Sequence, residues 1–254
     1  MSEKLKLENL SVNFNGFKAI DNINLNIYQC EIRVIIGPNG AGKTTLMDLI
    51  TGKTKPTNGR IFFYDNFEMI DITGMPSYYI SNLGIGRKFQ GPNIFNNLTV
   101  QDNIEVALSG YNRIRNTFFF KMNRKMKNKI DDILEEINLF DKKNIFASSL
   151  SHGERQWLEI GMIFAQNPSL IILDEPTAGM TAEETFKTGE MIKTMLSENH
   201  TVIVIEHDMA FVRQVADIVT VLHQGRILAE GHLNDIEQDP NVIKVYLKEE
   251  TQND

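Results

Sequence analysis

The stretch IRVIIGPNGAGKTTLMDLI, residues 32–50, decides the fold. IRVII, at its start, is an apolar run that reads as a buried parallel strand. GPNGAGKTT follows and fits G-x-x-x-x-G-K-[ST], and the residues after it read as a helix from Thr44 to about Thr51. Between a buried strand and a helix, that pattern is a phosphate-binding loop. Its glycines let backbone N–H groups curl around phosphate oxygens, and the helix N-terminus adds partial positive charge. The candidate residues are Gly37, Pro38, Asn39, Gly40, Ala41, Gly42, Lys43, Thr44 and Thr45. Lys43 is placed to bridge β- and γ-phosphates, and Thr44 to ligate Mg²⁺.

A second chemical element lies downstream, in SLIILDEP. Four apolar residues form a buried strand, and Asp174 emerges at its C-terminal end, where α/β proteins bind ligands. Asp174 is the expected metal-side carboxylate. Glu175 suits a general base or a water-orienting group. Gln90 ends GIGRKFQ, where strand character gives way to helix, and is a candidate for the metal or the attacking water. His207, at the end of TVIVIE, is a candidate hydrogen-bond partner of the γ-phosphate.

Working outward, KLKLENL and INLNI alternate like half-buried strands, and the first 65 or so residues read as mostly strand. From about Gly91 to Asn167 the pattern turns helical, with Ile130, Ile133, Leu134 and Ile137 at helical spacing. Strands and helices then alternate, which implies a parallel sheet with helices on both faces. The expected organisation is one α/β domain: a core of 1–90 and 168–254, with 91–167 as a helical insertion. The basic stretch from Tyr111 to Lys129 carries Phe118 to Phe120 and reads as a solvated surface of that insertion. A membrane-touching segment or an unstructured loop is the alternative.

Composition sets the class. The 254 residues are 42% hydrophobic and 23% charged, as in globular proteins. A net charge of −7 argues against a nucleic-acid partner. The single cysteine, Cys30, excludes an internal disulfide framework and reads as a semi-buried residue beside a strand. The start of the chain lacks the apolar region of a signal peptide, and no run of 18 apolar residues occurs.

LSHGERQW, residues 150–157, opens a helix with a Ser followed three residues later by Glu, the pattern of a capping box. The His between Ser151 and Gly153 has no place in that explanation.

A phosphate-binding loop, then Gln90, an LS-x-G segment, LDEP and a strand-terminal His form one ordered series, and the chain resembles the ATPase subunits of ABC transporters along essentially its whole length. That resemblance implies a P-loop NTPase with a RecA-like parallel core, an N-terminal antiparallel β subdomain and an inserted helical subdomain. It implies ATP and Mg²⁺ as ligands, Thr44, Gln90 and Asp174 toward the metal, and Glu175, His207 and Gln90 in catalysis. Two subunits would close head to tail, with Ser151, His152, Gly153 and Glu154 of one touching ATP held by the other. Phe14 is the best match for an adenine-stacking aromatic, with Phe17 second.

GIGRKFQGPNIFNNLTVQDNIEVAL, AGMT and the tail LAEGHLNDIEQDPNVIKVYL look like the branched-chain amino acid importer group. LSHGERQWLEIGM and VTVLHQG are most similar to one of the two ATPase subunits of urea importers. The resemblance therefore implies urea import, with a branched-chain amino acid importer as the alternative. A soluble ribosome- or DNA-associated ATPase and an envelope exporter are more distant alternatives. Implied partners are two permease subunits, a second and different ATPase and, indirectly, a periplasmic solute-binding protein. A homodimer is possible for the isolated chain. The implied location is the cytoplasmic face of the inner membrane, peripherally bound. Two departures stand out. The family signature reads LSGGQ, whereas His152 and Glu154 replace its first Gly and its Gln, and Thr181 stands where an Asp is usual. His152 reads as a subgroup mark more readily than as a catalytic acid.

Overall fold

The computed structural model describes residues 2–65, 68–88, 94–109, 124–196 and 200–250. In chain order the elements begin with β1 (Glu3–Phe14), β2 (Phe17–Tyr28), β3 (Ile32–Ile36), α1 (Lys43–Ile50), β4 (Asn58–Asp65), β5 (Glu68–Asp71), α2 (Ser77–Asn82) and β6 (Ile85–Arg87). Helices α3 (Val100–Ser109), α4 (Arg124–Glu136) and α5 (His152–Ala165) come next. They are followed by β7 (Leu170–Asp174), α6 (Ala182–Leu196), β8 (Thr201–Ile205) and α7 (Met209–Val215). The last elements are β9 (Ile218–His223), β10 (Arg226–Gly231), α8 (Leu233–Ile236) and α9 (Pro240–Glu250).

The chain divides into two compact units. The first holds Met1–Arg87, Ser169–Glu175 and Leu196–Asp254; the second holds Lys88–Pro168 and Pro176–Met195. Residues 176–195 thus group with the helices, whereas the sequence reading placed 168–254 with the core.

Two sheets build the first unit. Strands β2-β1-β4-β5 form an antiparallel sheet, and β10-β9-β3-β8-β7-β6 form a sheet that is parallel except for the β10–β9 pair. One apolar core joins Leu5, Leu7, Ile23 and Phe63 of the antiparallel sheet to Leu46 and Ile50 of α1 and to Ile35, Ile172 and Ile203 of the other sheet. Burial of such side chains is the main stabilising term, roughly 1.5–3 kcal/mol each. All five residues of β3 are buried, Arg33 included. Its guanidinium is matched by Glu31 at 2.5 Å, Thr220 Oγ1 at 2.9 Å and the Asn26 carbonyl at 3.1 Å, so the charge does not break the strand. Cys30 is exposed in the turn between β2 and β3 at φ 58°, not semi-buried as its neighbourhood suggested.

In the second unit α3 and α4 both pack on α5. Thr99 caps α3, its hydroxyl accepting the Asp102 N–H at 3.1 Å. Buried Asn103 ties the preceding segment down, bonding both the N–H and the carbonyl of Phe95. Helix α5 is buried from Trp157 to Ala165 on every side.

Candidate functional site

Parallel register brings three strand ends level. Ile35 of β3 pairs with Ile205 of β8, which pairs with Asp174 of β7. Neighbouring strands lie about 4.8 Å apart. Gly37, Glu206 and Glu175 therefore leave one edge of the sheet side by side, at the carboxyl ends of its strands.

The loop after β3 has the shape its glycines permit. A side chain at Gly37 would stand 2.1 Å from the Leu222 carbonyl oxygen, and one at Gly42 would stand 2.7 Å from that of Ala19. Asn39, Gly40 and Thr44 face solvent, Pro38 and Thr45 are half-buried, and Ala41 is buried. Helix α1 starts after Gly42, which has a left-handed backbone and no side-chain cap. Its first-turn N–H groups thus form the positive end that suits an anion. The Lys43 ammonium lies across the loop, donating to the carbonyls of Gly37 at 2.5 Å and Pro38 at 3.1 Å.

Asp174 ends β7 as expected, and its Oδ2 is 3.3 Å from Arg87 Nη2. Glu175 follows at φ 47°, an uncommon conformation for a non-glycine residue and one that clusters at functional sites. Its N–H donates to the Ile205 carbonyl at 3.0 Å. His207 Nδ1 lies 3.9 Å from Glu175 Oε1 and 3.8 Å from Glu206 Oε2, with its ring mostly exposed. Buried Glu206 accepts the His207 N–H at 3.0 Å and so anchors the backbone that carries the ring. The strand ends bring Asp174, Glu175 and His207 to the edge that carries the loop. Gln90 lies outside the described residues, as does most of the basic stretch from Tyr111. Phe14 and Phe17 flank the Asn15–Gly16 turn, and both are exposed.

The donor set fits Mg²⁺. Among the described residues no group of three His, Cys, Asp or Glu could hold a metal ion. A hydroxyl at the start of α1 and one carboxylate at a strand end are what a cation shared with phosphates requires.

In the second unit Ser151 caps α5. Its hydroxyl accepts the Glu154 N–H at 3.3 Å, and Glu154 Oε2 accepts the Ser151 N–H at 3.0 Å, a complete capping box. Burial pushes the Glu154 carboxyl pKa up, but the Lys142 ammonium and the Ser151 N–H outweigh it and hold it below its ordinary value. Gly153 is buried. His152 points its Nε2 at the Ala178 carbonyl, 3.0 Å away. A carbonyl only accepts, so this contact places the proton on Nε2.

Comparison with known proteins decides the family. The ABC transporter family pattern matches residues 20–178. The chain belongs to the ABC transporter family. This ABC ATPase is 35% identical over 255 residues to the high-affinity branched-chain amino acid transport ATP-binding protein LivG of Escherichia coli K12, covering 96% of this chain and 98% of that protein. It is equally 35% identical to BraF of Pseudomonas aeruginosa, covering 96% and 98%. Among solved structures it matches a nucleotide-free ATP-binding cassette of an ABC transporter at TM-score 0.81 and 30% identity, covering 96% and 98%. It also matches the ADP conformation of an ATP-binding cassette at TM-score 0.84 and 29% identity, covering 97% and 99%. The chain has the ABC ATPase fold, binds ATP and couples ATP hydrolysis to transport.

Sequence reasoning missed Arg87 and Glu206. Only Arg87 carried a signal, a cation three residues before Gln90.

Proposed function

We propose that this ABC ATPase powers import of branched-chain amino acids. The supporting observation is the 35% identity, over 96% of the chain, to proteins named for that transport. This reverses the order given by the motifs, which put urea first. Urea stands as the second reading because LSHGERQW resembles a urea-importer subunit. Transport assays separate them: deletion of the gene abolishes low-concentration uptake of labelled leucine and spares urea. Loss of urea uptake with intact leucine uptake reverses the assignment.

In the mechanism we infer, ATP phosphates lie on the loop from Gly37 to Thr45, with Lys43 exchanging a backbone carbonyl for phosphate oxygen. Thr44, Asp174 and Gln90 would hold Mg²⁺, which would neutralise phosphate charge when bound. Glu175 orients and deprotonates the attacking water, and His207 donates to the γ-phosphate. Ser151 and Gly153 at the N-terminus of α5 meet the ATP of a head-to-tail partner. A dimeric structure of a cassette bound to ADP and Pi, 26% identical to this chain, supports pairing. The pair closes on ATP and reopens after hydrolysis, since ATP contacts both subunits only when closed. In cells the partner is a second, different ATPase.

Among the described residues no helix is long and apolar enough to cross a membrane. We place the subunit on the cytoplasmic face of the inner membrane, bound to two permease subunits fed by a solute-binding protein. Exposed Phe95 and Phe146, on segments that a Thr99–Phe146 bridge helps join, support a permease-loop contact there.

A further inference from the structure

The most distinctive run of the signature segment, from His152 to Trp157, meets one stretch of chain: the residues that directly follow Glu175. His152 Nε2 donates to the Ala178 carbonyl at 3.0 Å, and its ring lies against Gly179. Gly153 faces Glu184, and a side chain there would stand 2.5 Å from Glu184 Oε1. Glu184 is itself held in place. Its Oε2 accepts from the N–H of Thr181 at 2.9 Å and from the Thr181 hydroxyl at 3.0 Å. One helical turn on, Trp157 Nε1 donates to Thr188 Oγ1 at 2.9 Å, and the Thr188 hydroxyl donates to the Glu184 carbonyl at 2.8 Å. Gly153 and Trp157 are four apart on α5, and Glu184 and Thr188 are four apart on α6. The two helices therefore meet turn for turn.

We propose that His152, Trp157, Glu184 and Thr188 form an interlock that makes the start of α5 and the chain leaving Glu175 one rigid piece. Engagement of a nucleotide at the N-terminus of α5 is then transmitted to residues 176–188 and, through the peptide bond at Pro176, to Glu175 of the same subunit. His152 and Trp157 are positioning residues, and His152 has its own task in place of the usual signature glycine. The Trp157–Thr188 bond is buried, so breaking it strands a buried donor, whereas the His152 bond is exposed and worth less. The inference rests on the reading that α5 contacts ATP held by a partner subunit.

Trp157 is the chain's single tryptophan, so its fluorescence reads the interlock directly. In the Glu175→Gln protein, adding ATP and Mg²⁺ leaves the emission maximum in place, because the indole and its acceptor move together. Thr188→Val shifts the maximum. His152→Phe lowers kcat about fivefold, the worth of one neutral hydrogen bond, with KM for ATP and the unfolding temperature unchanged. His152→Gln, whose amide N–H reaches for the same carbonyl, restores kcat. A red shift on ATP binding, no shift in Thr188→Val, or parental turnover in His152→Phe overturns the interlock. Ser151→Ala separates this failure from failure of the underlying reading. If Ser151→Ala abolishes turnover while His152→Phe does not, the interlock alone falls. If neither affects turnover, the partner-contact reading falls with it.

Discussion

Arg87 and Asp174 form a buried ion pair across the neighbouring parallel strands β6 and β7, 3.3 Å apart, with side-chain exposures of 4% and 2%. The same guanidinium reaches Asp48 Oδ1 of α1 at 2.5 Å and Thr51 Oγ1 at 3.3 Å. One cation thus fixes the Asp174 carboxylate relative to the helix that follows the phosphate-binding loop. Removing it leaves two carboxylates that desolvation penalises. Arg87→Met is expected to cost about 3–5 kcal/mol, the usual effect of breaking a buried pair from one side. Urea denaturation measures it, and a loss under about 1 kcal/mol would show the pair to be solvent-screened.

Glu175→Gln keeps the shape of the side chain and removes its basicity. ATP binding is expected to survive while turnover falls below detection, and the protein is expected to accumulate as an ATP-dependent dimer in gel filtration. Turnover near the parental rate would show that Glu175 is not the base.

Gly42→Ala tests the loop. Its methyl group would meet the Ala19 carbonyl 2.7 Å away, at φ 104°, where alanine is already strained. Nucleotide affinity, read by titration calorimetry, is expected to fall by at least tenfold, with stability lowered by about 1–3 kcal/mol.

Phe14→Ala is expected to weaken ATP binding about tenfold through loss of ring stacking on adenine. Phe17→Ala is expected to do less. The reverse order in the same titration moves the adenine contact to Phe17.

The capping box sets a pH dependence. The Glu154 carboxyl is held below its ordinary value in the folded state, so it contributes stability above the unfolded value, near 4.3. That contribution is lost as pH falls through the lowered folded value. Thermal unfolding of Glu154→Gln, which keeps the cap without the charge, is therefore expected to vary less than the parent's below about pH 4.3. Equal slopes would exclude Glu154 as a contributor.

Much of the site was legible because its chemistry is local. The loop from Gly37 to Thr45, the Asp174–Glu175 pair and the Ser151–Glu154 cap each lie within a few residues, and their spacing carries their geometry. Arg33 and Arg87 lie in strands whose packing the sequence did not disclose, because part of what compensates each charge comes from distant parts of the chain. Arg33 binds Thr220, 187 residues on, and Arg87 binds Asp174, 87 residues on. Burial of Cys30 was misjudged for a related reason: a left-handed turn swung it outward, which adjacency to a strand does not reveal.

The sequence by itself determined the family, the phosphate-binding loop and the order of the candidate catalytic groups, because these follow from residue type and short-range backbone geometry. It implied for His152 a contact with a partner subunit's ATP but named no contact within its own chain. Only the tertiary structure decided that, by laying Ala178, 26 residues away, against the first turn of α5 and Thr188, 31 residues from Trp157, against the next. Which carbonyl a side chain finds depends on how two helices pack, and no spacing along the chain encodes that.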